Sequence, residues 1–234
     1  MMMRILIFVS ICLFTVAVFG CSNSSDPVAP TNLASGADLM GLRTNHTLRY
    51  VIYDSTSIYF PYYSIEVDTS ETQMRITGGA GGTVELAFDN IPQALLTIDN
   101  IGVLLSGQII PNANPPDTNY FYPTPVLIPQ SYTVGTIQAS TSPPFAIDSA
   151  EKKLTMFFLN YGYYTERIFM GLEDIVLPIS SYNAYHFQSD IFIDDNAATP
   201  LMTAHEYYAP GVGLVKMELQ AAGTRRIIVL LEDN

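Results

Sequence analysis

Alternation of apolar and polar residues, interrupted by turns rich in glycine and proline, is the dominant pattern of this 234-residue sequence. Met74 and Ile76 precede the glycine-rich residues 78–82, and Leu86 and Phe88 follow them. Every second side chain of a β-strand points to the same face, so the two runs predict a hairpin with one apolar face. Tyrosine, phenylalanine and β-branched residues, which favour strands, recur in similar runs.

The same pattern predicts a mainly β fold along most of the sequence. Helix-like periodicity is weak, and the chain closes with two clear hairpins. The predicted architecture is an antiparallel meander that forms a curved open sheet, a half-barrel or a barrel. Besides the first hairpin, strands are predicted at residues 48–54, 65–68, 93–98, 103–109, 154–160, 167–170, 184–193, 201–208, 214–220 and 225–232.

The N-terminus has the layout of a secretory signal. Arg4 is followed by apolar residues 5–20 without further charge, and a polar segment begins directly afterwards. Val18-Phe19-Gly20-Cys21 resembles the lipobox of bacterial lipoproteins, although Phe19 replaces the usual small residue. The resemblance implies cleavage before Cys21 and attachment of lipid to its sulfur. An ordinary secretory signal with cleavage nearby is the alternative.

Lipid attachment at Cys21 would leave no thiol for other chemistry. Cys12 lies inside the predicted signal and leaves with it, so the mature domain must be stable without disulfides. Two or three acyl chains would hold the protein at a membrane almost permanently. Ser22 follows the cysteine, and in lipoproteins of bacteria with two membranes this favours the outer membrane, with the domain facing the periplasm or the cell surface.

The predicted domain organisation has three parts. Residues 1–20 are the cleaved signal, and residues 21–46, rich in small and polar residues, are a lipid-anchored flexible tether. Residues 47–234 are a single β-rich domain, long enough to bury a substantial core.

Charge argues against nucleic acid as a partner. The chain has 22 acidic and 10 basic residues, and the only basic pairs are Lys152-Lys153 and Arg225-Arg226. Binding a phosphate backbone requires clustered lysine and arginine. Nucleic acid is therefore not an expected partner. The expected partners are the membrane, through the lipid on Cys21, and either an apolar small molecule or an envelope protein.

The most specific string of the domain lies near its end. It is Tyr207-Tyr208-Ala209-Pro210-Gly211-Val212-Gly213-Leu214-Val215-Lys216. This string resembles the closing signature of a group of uncharacterised bacterial lipoproteins, and residues 177–184 are similar to a second feature of that group. The resemblance implies a fold like the open half-barrel of periplasmic lipoprotein carriers, and it assigns no binding residue.

Metal sites are the weaker interpretation of the polar clusters. His46, His186 and His205 are far apart in sequence, so we interpret them as histidines on strand surfaces, with a zinc site as the alternative. Asp190 and residues 194–196 group oxygen ligands near a strand end, but they lack the glycine and distal glutamate of a calcium loop. No metal or cofactor is predicted.

Catalytic motifs are also weak. Residues 78–82 have enough glycine to hold a phosphate, but no lysine follows, which favours a hairpin turn. The adjacent acids Glu173-Asp174 and Glu232-Asp233 are typical of solvated turns and chain ends. The aromatic residues 59–63, 120–122 and 161–164 suit a glycan or peptide surface but more often pack within sheets.

These observations predict a non-enzymatic module of the bacterial cell envelope that binds a partner or has a structural role. Two alternatives remain. One is a carrier that holds a lipid or acyl chain in a concave sheet, which the resemblance suggests. The other is a hydrolase of envelope polymers, which requires several scattered acids and histidines to meet in one pocket.

Overall fold

The computed structural model describes residues 34–58, 64–78, 83–110, 117–120, 126–130, 134–135, 137–141, 164–192 and 197–234. These residues contain one short helix and thirteen strands. The elements are α1 (Gly36–Leu39), β1 (His46–Ile58), β2 (Ser64–Gly78), β3 (Thr83–Phe88), β4 (Ile91–Ile98), β5 (Gly102–Ile110), β6 (Asp117–Tyr120), β7 (Val126–Pro129), β8 (Ile137–Thr141), β9 (Tyr164–Val176), β10 (Ser181–Phe192), β11 (Met202–Ala209), β12 (Gly213–Ala221) and β13 (Thr224–Asp233).

All thirteen strands belong to one antiparallel sheet, as the mainly β prediction requires. Its order is β6-β5-β4-β3-β2-β1-β13-β12-β11-β10-β9-β8, with β7 paired to β5 off this path. The sheet thus consists of two meanders joined where β1 pairs with β13, from Leu48 opposite Asp233 to Thr56 opposite Thr224. Within the described ranges the outermost strands, β6 and β8, are not paired with each other, so the sheet is open.

The predicted first hairpin is confirmed in register. Met74 pairs with Phe88 and Ile76 with Leu86, and all four side chains are buried. The alternation predicted this pairing because a one-residue slip would turn both apolar rows to solvent. The strand predicted at residues 154–160 lies outside the described residues.

The sheet curves around a single apolar core. Leu96 and Leu105 from one meander belong to the same buried cluster as Phe187 and Met217 from the other. A flat sheet could not bring these strands together, so the sheet must bend. Bulges, which sharpen bending and twist, interrupt the pairing at several places, including Tyr207/Tyr208. We call the face toward the core the inner face and the opposite one the outer face.

The packed body begins earlier than the sequence predicted. Residues 21–46 were expected to form a flexible tether, but Leu39 and Met40 are buried in the core. Ser35 caps α1 by accepting a hydrogen bond from the Asp38 amide at 3.2 Å, and the Ala34 amide donates to the Tyr185 hydroxyl at 3.1 Å. The apolar residues of this segment are few, but they cover one end of the core, so ordering them buries enough surface to hold the segment in place.

β7 fills part of the concave side of the sheet. Leu127 and Ile128 are buried in the core, while the backbone of β7 pairs with β5 in the first meander. The Leu127 carbonyl accepts a hydrogen bond from Arg167 on β9, in the second meander. β7 therefore contacts both walls of the curved sheet.

No helix in the part of the chain that the structure describes has the length and apolar character needed to cross a membrane.

Candidate functional site

An open cleft lies at one end of the inner face, where β1, β11, β12 and β13 come together. Its volume is about 370 Å³, at the lower end of the range for small-molecule sites. Met202, Leu219 and Ala221 form its apolar wall. Its remaining lining is polar and comes from Asp54, Ser55, Thr56, Thr224, Arg225 and Arg226.

An ion pair marks the polar side of this cleft. Asp54 and Arg226 are directly opposite each other on β1 and β13. The Arg226 Nε donates to Asp54 Oδ1 at 2.5 Å, and its Nη2 donates to Oδ2 at 2.8 Å, which is the two-pronged geometry of a strong charged pair. Both side chains remain about one-third exposed, so a ligand in the cleft could reach them.

The interior beyond the cleft is occupied. Ile52 and Ile228, two residues further along the same strands, are buried in the core. β7 and α1 contribute Leu127, Ile128 and Leu39 to that core. The cleft can therefore receive a short apolar group next to these buried side chains.

A second polar group is buried inside the core, between β9, β10 and β11. Arg167 Nη2 donates to both carboxylate oxygens of Glu206, at 3.0 and 2.9 Å, and its Nε donates to Ser189 Oγ at 3.0 Å. The Ser189 hydroxyl donates to Glu206 at 2.6 Å, and the Tyr208 hydroxyl donates to it at 2.7 Å. We call these four residues the inner network. Every charge in it has a partner, as burial requires.

Burial shapes the protonation of the inner network. It would lower the pKa of Arg167, but the Glu206 carboxylate outweighs this effect, and the pKa is raised. Burial, reinforced by Glu206, raises the pKa of Tyr208 well above its ordinary value. Arg167 is thus held as a cation and Tyr208 as a neutral hydrogen-bond donor. Because Arg167 also binds the Leu127 carbonyl, the network holds β7 against β9.

A third polar group lies on the outer face of the same strands. Glu173 Oε2 is 3.2 Å from His186 Nδ1, and His186 Nε2 is 2.9 Å from His205 Nδ1. The His186 ring stacks on Tyr207, with centroids 4.5 Å apart. We call Glu173, His186 and His205 the outer chain. Burial lowers the pKa of His186, although Glu173 acts in the opposite direction. Burial and the neighbouring Glu173 raise the pKa of Tyr207 to about 12.

The histidine prediction was partly wrong. His46 is buried, because its ring contacts the Gly41 carbonyl at 2.8 Å and the Asp233 carboxylate. His186 and His205 do lie on strand surfaces, but the register of β10 and β11 brings them into contact. Among the described residues no group of three or more His, Cys, Asp or Glu side chains is placed to hold a metal ion.

The predicted signature turn contacts the N-terminal segment. The Gly211 amide donates to the Asp38 carbonyl at 2.8 Å, and Arg43 donates to the Gly211 carbonyl. Gly213 has a φ of 114°, and a Cβ there would lie 3.0 Å from the Met40 carbonyl oxygen. Gly41 has a φ of 61°, and a Cβ there would lie 2.1 Å from the Val212 carbonyl oxygen. Only glycine allows this approach of the two backbones.

The signature residues thus divide between the two faces of the sheet. Tyr208 belongs to the inner network, while Tyr207 stacks against the outer chain. Ala209, Pro210, Gly211, Val212 and Gly213 form the turn that meets residues 38–43. None of these seven residues lines the cleft.

Other candidate residues have local partners or lie outside the described residues. Asp190 accepts hydrogen bonds from Thr203 and Gln188, and Glu232 pairs with Arg49 at 3.2 Å. Cys21, Asp194, Asp195 and Asn196 lie outside the described residues, as do residues 79–82 and most of the aromatic clusters. Of the paired acids, Glu173 is in the outer chain and Asp174 accepts from Asn183 at 2.8 Å.

Comparison with known proteins gives distant likenesses only. The sequence matches no protein-family model and no curated protein. A beta-barrel-like protein of domain of unknown function DUF1849 from Brucella abortus has a TM-score of 0.40 and 8% identity over 82% of this chain and 98% of its own. For a candidate lipoprotein from Parabacteroides distasonis the TM-score is 0.37, with 12% identity over 87% of this chain and 100% of its own.

A LolA superfamily protein from Nitrosomonas europaea has a TM-score of 0.33 and 8% identity, over 87% of this chain and 94% of its own. At these TM-scores the likenesses carry no inference about what this chain binds or does.

Proposed function

We propose that this protein is a lipid-anchored module of the bacterial cell envelope that binds a small amphipathic molecule in the cleft. The observation that carries the proposal is the pairing of an apolar wall with an exposed ion pair. Met202, Leu219 and Ala221 stand on one side, and Asp54 and Arg226 on the other. The ligand's apolar part would contact the wall, and its charged end would bind the ion pair.

The chemistry of the ion pair suits this role. An arginine whose guanidinium is held in a two-pronged contact is already oriented, so little side-chain entropy is lost when a carboxylate or phosphate joins it. Asp54 keeps that orientation in the absence of ligand. The apolar wall supplies affinity through buried area, at about 25 cal/mol per Å² of apolar surface.

The size of the cleft limits the ligand. A volume of about 370 Å³ accommodates a short apolar group and is near the lower end of the range for small-molecule sites. Binding of such a group requires no movement.

The proposed anchor supports a role at a surface. Lipid on Cys21, followed by the residues before Ala34, would hold the cleft near a membrane. Intact-mass analysis of membrane-extracted protein should show a chain that begins at Cys21 and carries acyl mass. Cys21→Ala should lack that mass. An unmodified wild-type chain would refute the anchor but would leave the cleft proposal standing.

The cleft is tested by native mass spectrometry of the full membrane-extracted protein. We expect a small-molecule adduct, in addition to the acyl mass, on the wild type and on the control Val176→Glu. Val176 is an exposed apolar residue of β9 that does not line the cleft. Leu219→Glu, which puts a charge in the apolar wall, should lose the adduct, and Arg226→Gln should weaken it. An adduct retained by both cleft variants, or lacking in the wild type, would contradict the proposal.

A further inference from the structure

We propose that His186 and His205 bind a divalent transition-metal ion on the outer face of β10 and β11. The two residues are 19 positions apart, and the register that pairs His186 with Tyr207 and Gln188 with His205 makes them diagonal neighbours on one face. His186 Nε2 and His205 Nδ1 are 2.9 Å apart and point toward each other. Two imidazole nitrogens that converge in this way can share one ion.

Glu173 prepares His186 for this role. Its Oε2 lies 3.2 Å from His186 Nδ1, so the carboxylate accepts the Nδ1 proton and leaves the lone pair of a neutral ring on Nε2. A carboxylate that holds the second nitrogen of a histidine is the usual outer partner of a metal ligand, because it fixes both tautomer and ring orientation.

The required movement is small. Zinc–nitrogen bonds of about 2.0–2.1 Å at a tetrahedral angle place the two nitrogens about 3.3 Å apart, so the rings need to separate by a few tenths of an ångström and tilt until both lone pairs face the ion. Stacking on Tyr207 supports one face of the His186 ring. His205 Nε2 has no hydrogen-bond partner among the described residues, so the His205 ring can make the adjustment.

The donor set selects the ion. Imidazole nitrogens bind Zn²⁺, Cu²⁺ and Ni²⁺, whereas Mg²⁺ and Ca²⁺ prefer oxygen ligands. Copper should bind most tightly, since affinities of such sites follow the order Ni²⁺ < Cu²⁺ > Zn²⁺. The protein supplies two ligands, so water or a group from a second molecule fills the other positions.

Nearby charges do not prevent binding. One cation near the site is the Lys216 ammonium, 5.3 Å from the centroid of the Tyr207 ring. It is paired with Glu218 at 2.7 Å. The chain as a whole carries a formal charge of -12, which attracts cations.

The test is calorimetric titration of the full, tag-free protein with ZnCl₂ and CuCl₂. His186→Gln and His205→Gln should each weaken binding at least about tenfold, and Glu173→Gln about 10–100-fold. Asp190→Asn is the matched control, because its carboxylate lies on the same strand but contacts Thr203 and Gln188 instead. Its affinity should equal that of the wild type. Circular dichroism should show that each variant remains folded.

Visible absorption of the Co²⁺-loaded protein gives a second measurement that does not depend on affinity alone. We expect the Co²⁺ absorption bands of the wild type to indicate nitrogen ligands. His205→Gln should change those bands. Wild-type protein that takes up no Zn²⁺ or Cu²⁺, or binding that survives in both histidine variants, would overturn the proposal. Glu173, His186 and His205 do not line the cleft, so either result leaves the cleft proposal unaffected.

Discussion

The inner network and the outer chain occupy the same three strands but opposite faces. Glu206 is fully buried, and its carboxylate receives hydrogen bonds from Arg167, Ser189 and Tyr208. His205, the residue before it, is partly exposed and has one hydrogen-bonded neighbour. Neighbouring polar residues therefore have different roles on the two faces. A buried charge must find its hydrogen-bond partners inside the protein, whereas a partly exposed group can still bind water or an added ligand.

The largest expected effect is on the inner network. Removing one member of a buried pair leaves an uncompensated charge, so Arg167→Met and Glu206→Met should each lower the free energy of unfolding by about 3–5 kcal/mol. Urea denaturation measures this. The double variant should cost less than the sum of the single changes, because neither charge is left alone. Additive losses would show that the two residues act independently and would remove the basis of the comparison.

The next effect concerns the N-terminal segment, which completes the inner side of the sheet. Gly41→Ala should cost about 2–3 kcal/mol, since the new Cβ would collide with the Val212 carbonyl. Gly223→Ala is the control, because it has a similar φ of 75° but no atom within 4 Å of the added carbon. It should cost about 1 kcal/mol. If thermal unfolding showed equal losses of stability for the two variants, the close approach of the two backbones would not contribute to the difference.

The outer chain should matter less for stability and more for its pH dependence. His186→Gln should change the free energy of unfolding by about 1 kcal/mol or less at about pH 8. Because the folded protein lowers the pKa of His186, the unfolded chain takes up that proton first as pH falls. The wild type should therefore lose stability below about pH 6.5, and the loss should stop below the folded pKa.

Denaturation of both proteins between about pH 8 and about pH 5 checks this prediction. The wild-type curve should fall relative to the variant over that window. A wild type that gains stability relative to His186→Gln on acidification would show that the Glu173 carboxylate outweighs burial.

The smallest effect should come from an exposed pair on the outer face. Arg225 donates to Glu218 at 2.5 Å, and the Arg225 side chain is about half exposed. Arg225→Gln should cost about 0.2–1 kcal/mol, and less at high salt. Thermal unfolding at about 0.05 and about 0.5 M NaCl measures the difference. A loss as large as that of Arg167→Met would contradict the contrast between the faces.

Local pattern was sufficient to predict most strands of the two meanders, but it missed β6, β7 and β8 and it did not predict the sites. The hairpin that joins Met74 to Phe88 follows from alternation across one short turn. The contact of His186 with His205 depends on the register of β10 and β11, which the alternation within each strand does not determine. The pairing of Arg167 with Glu206 joins residues 39 positions apart. Neither arginine nor glutamate on a strand signals burial by itself.

The helix and the cleft were missed for related reasons. Leu39 and Met40 lie in a segment whose composition is typical of a tether, and only their burial in the core shows that they are packed. Asp54 and Arg226 look like ordinary polar strand residues in the sequence. They become a pair only because β1 and β13 are neighbours in the sheet.

That neighbourhood also sets an order of events. A chain that emerges from its N-terminus during synthesis can form each meander as its successive strands appear, because neighbours in sequence are neighbours in the sheet. β1 cannot form its pairing with β13, in which Leu48 is opposite Asp233, until β13 has emerged. Until then the edge of β1 and the cleft it helps to form are incomplete, so protection of that edge until β13 is available is a requirement of this topology.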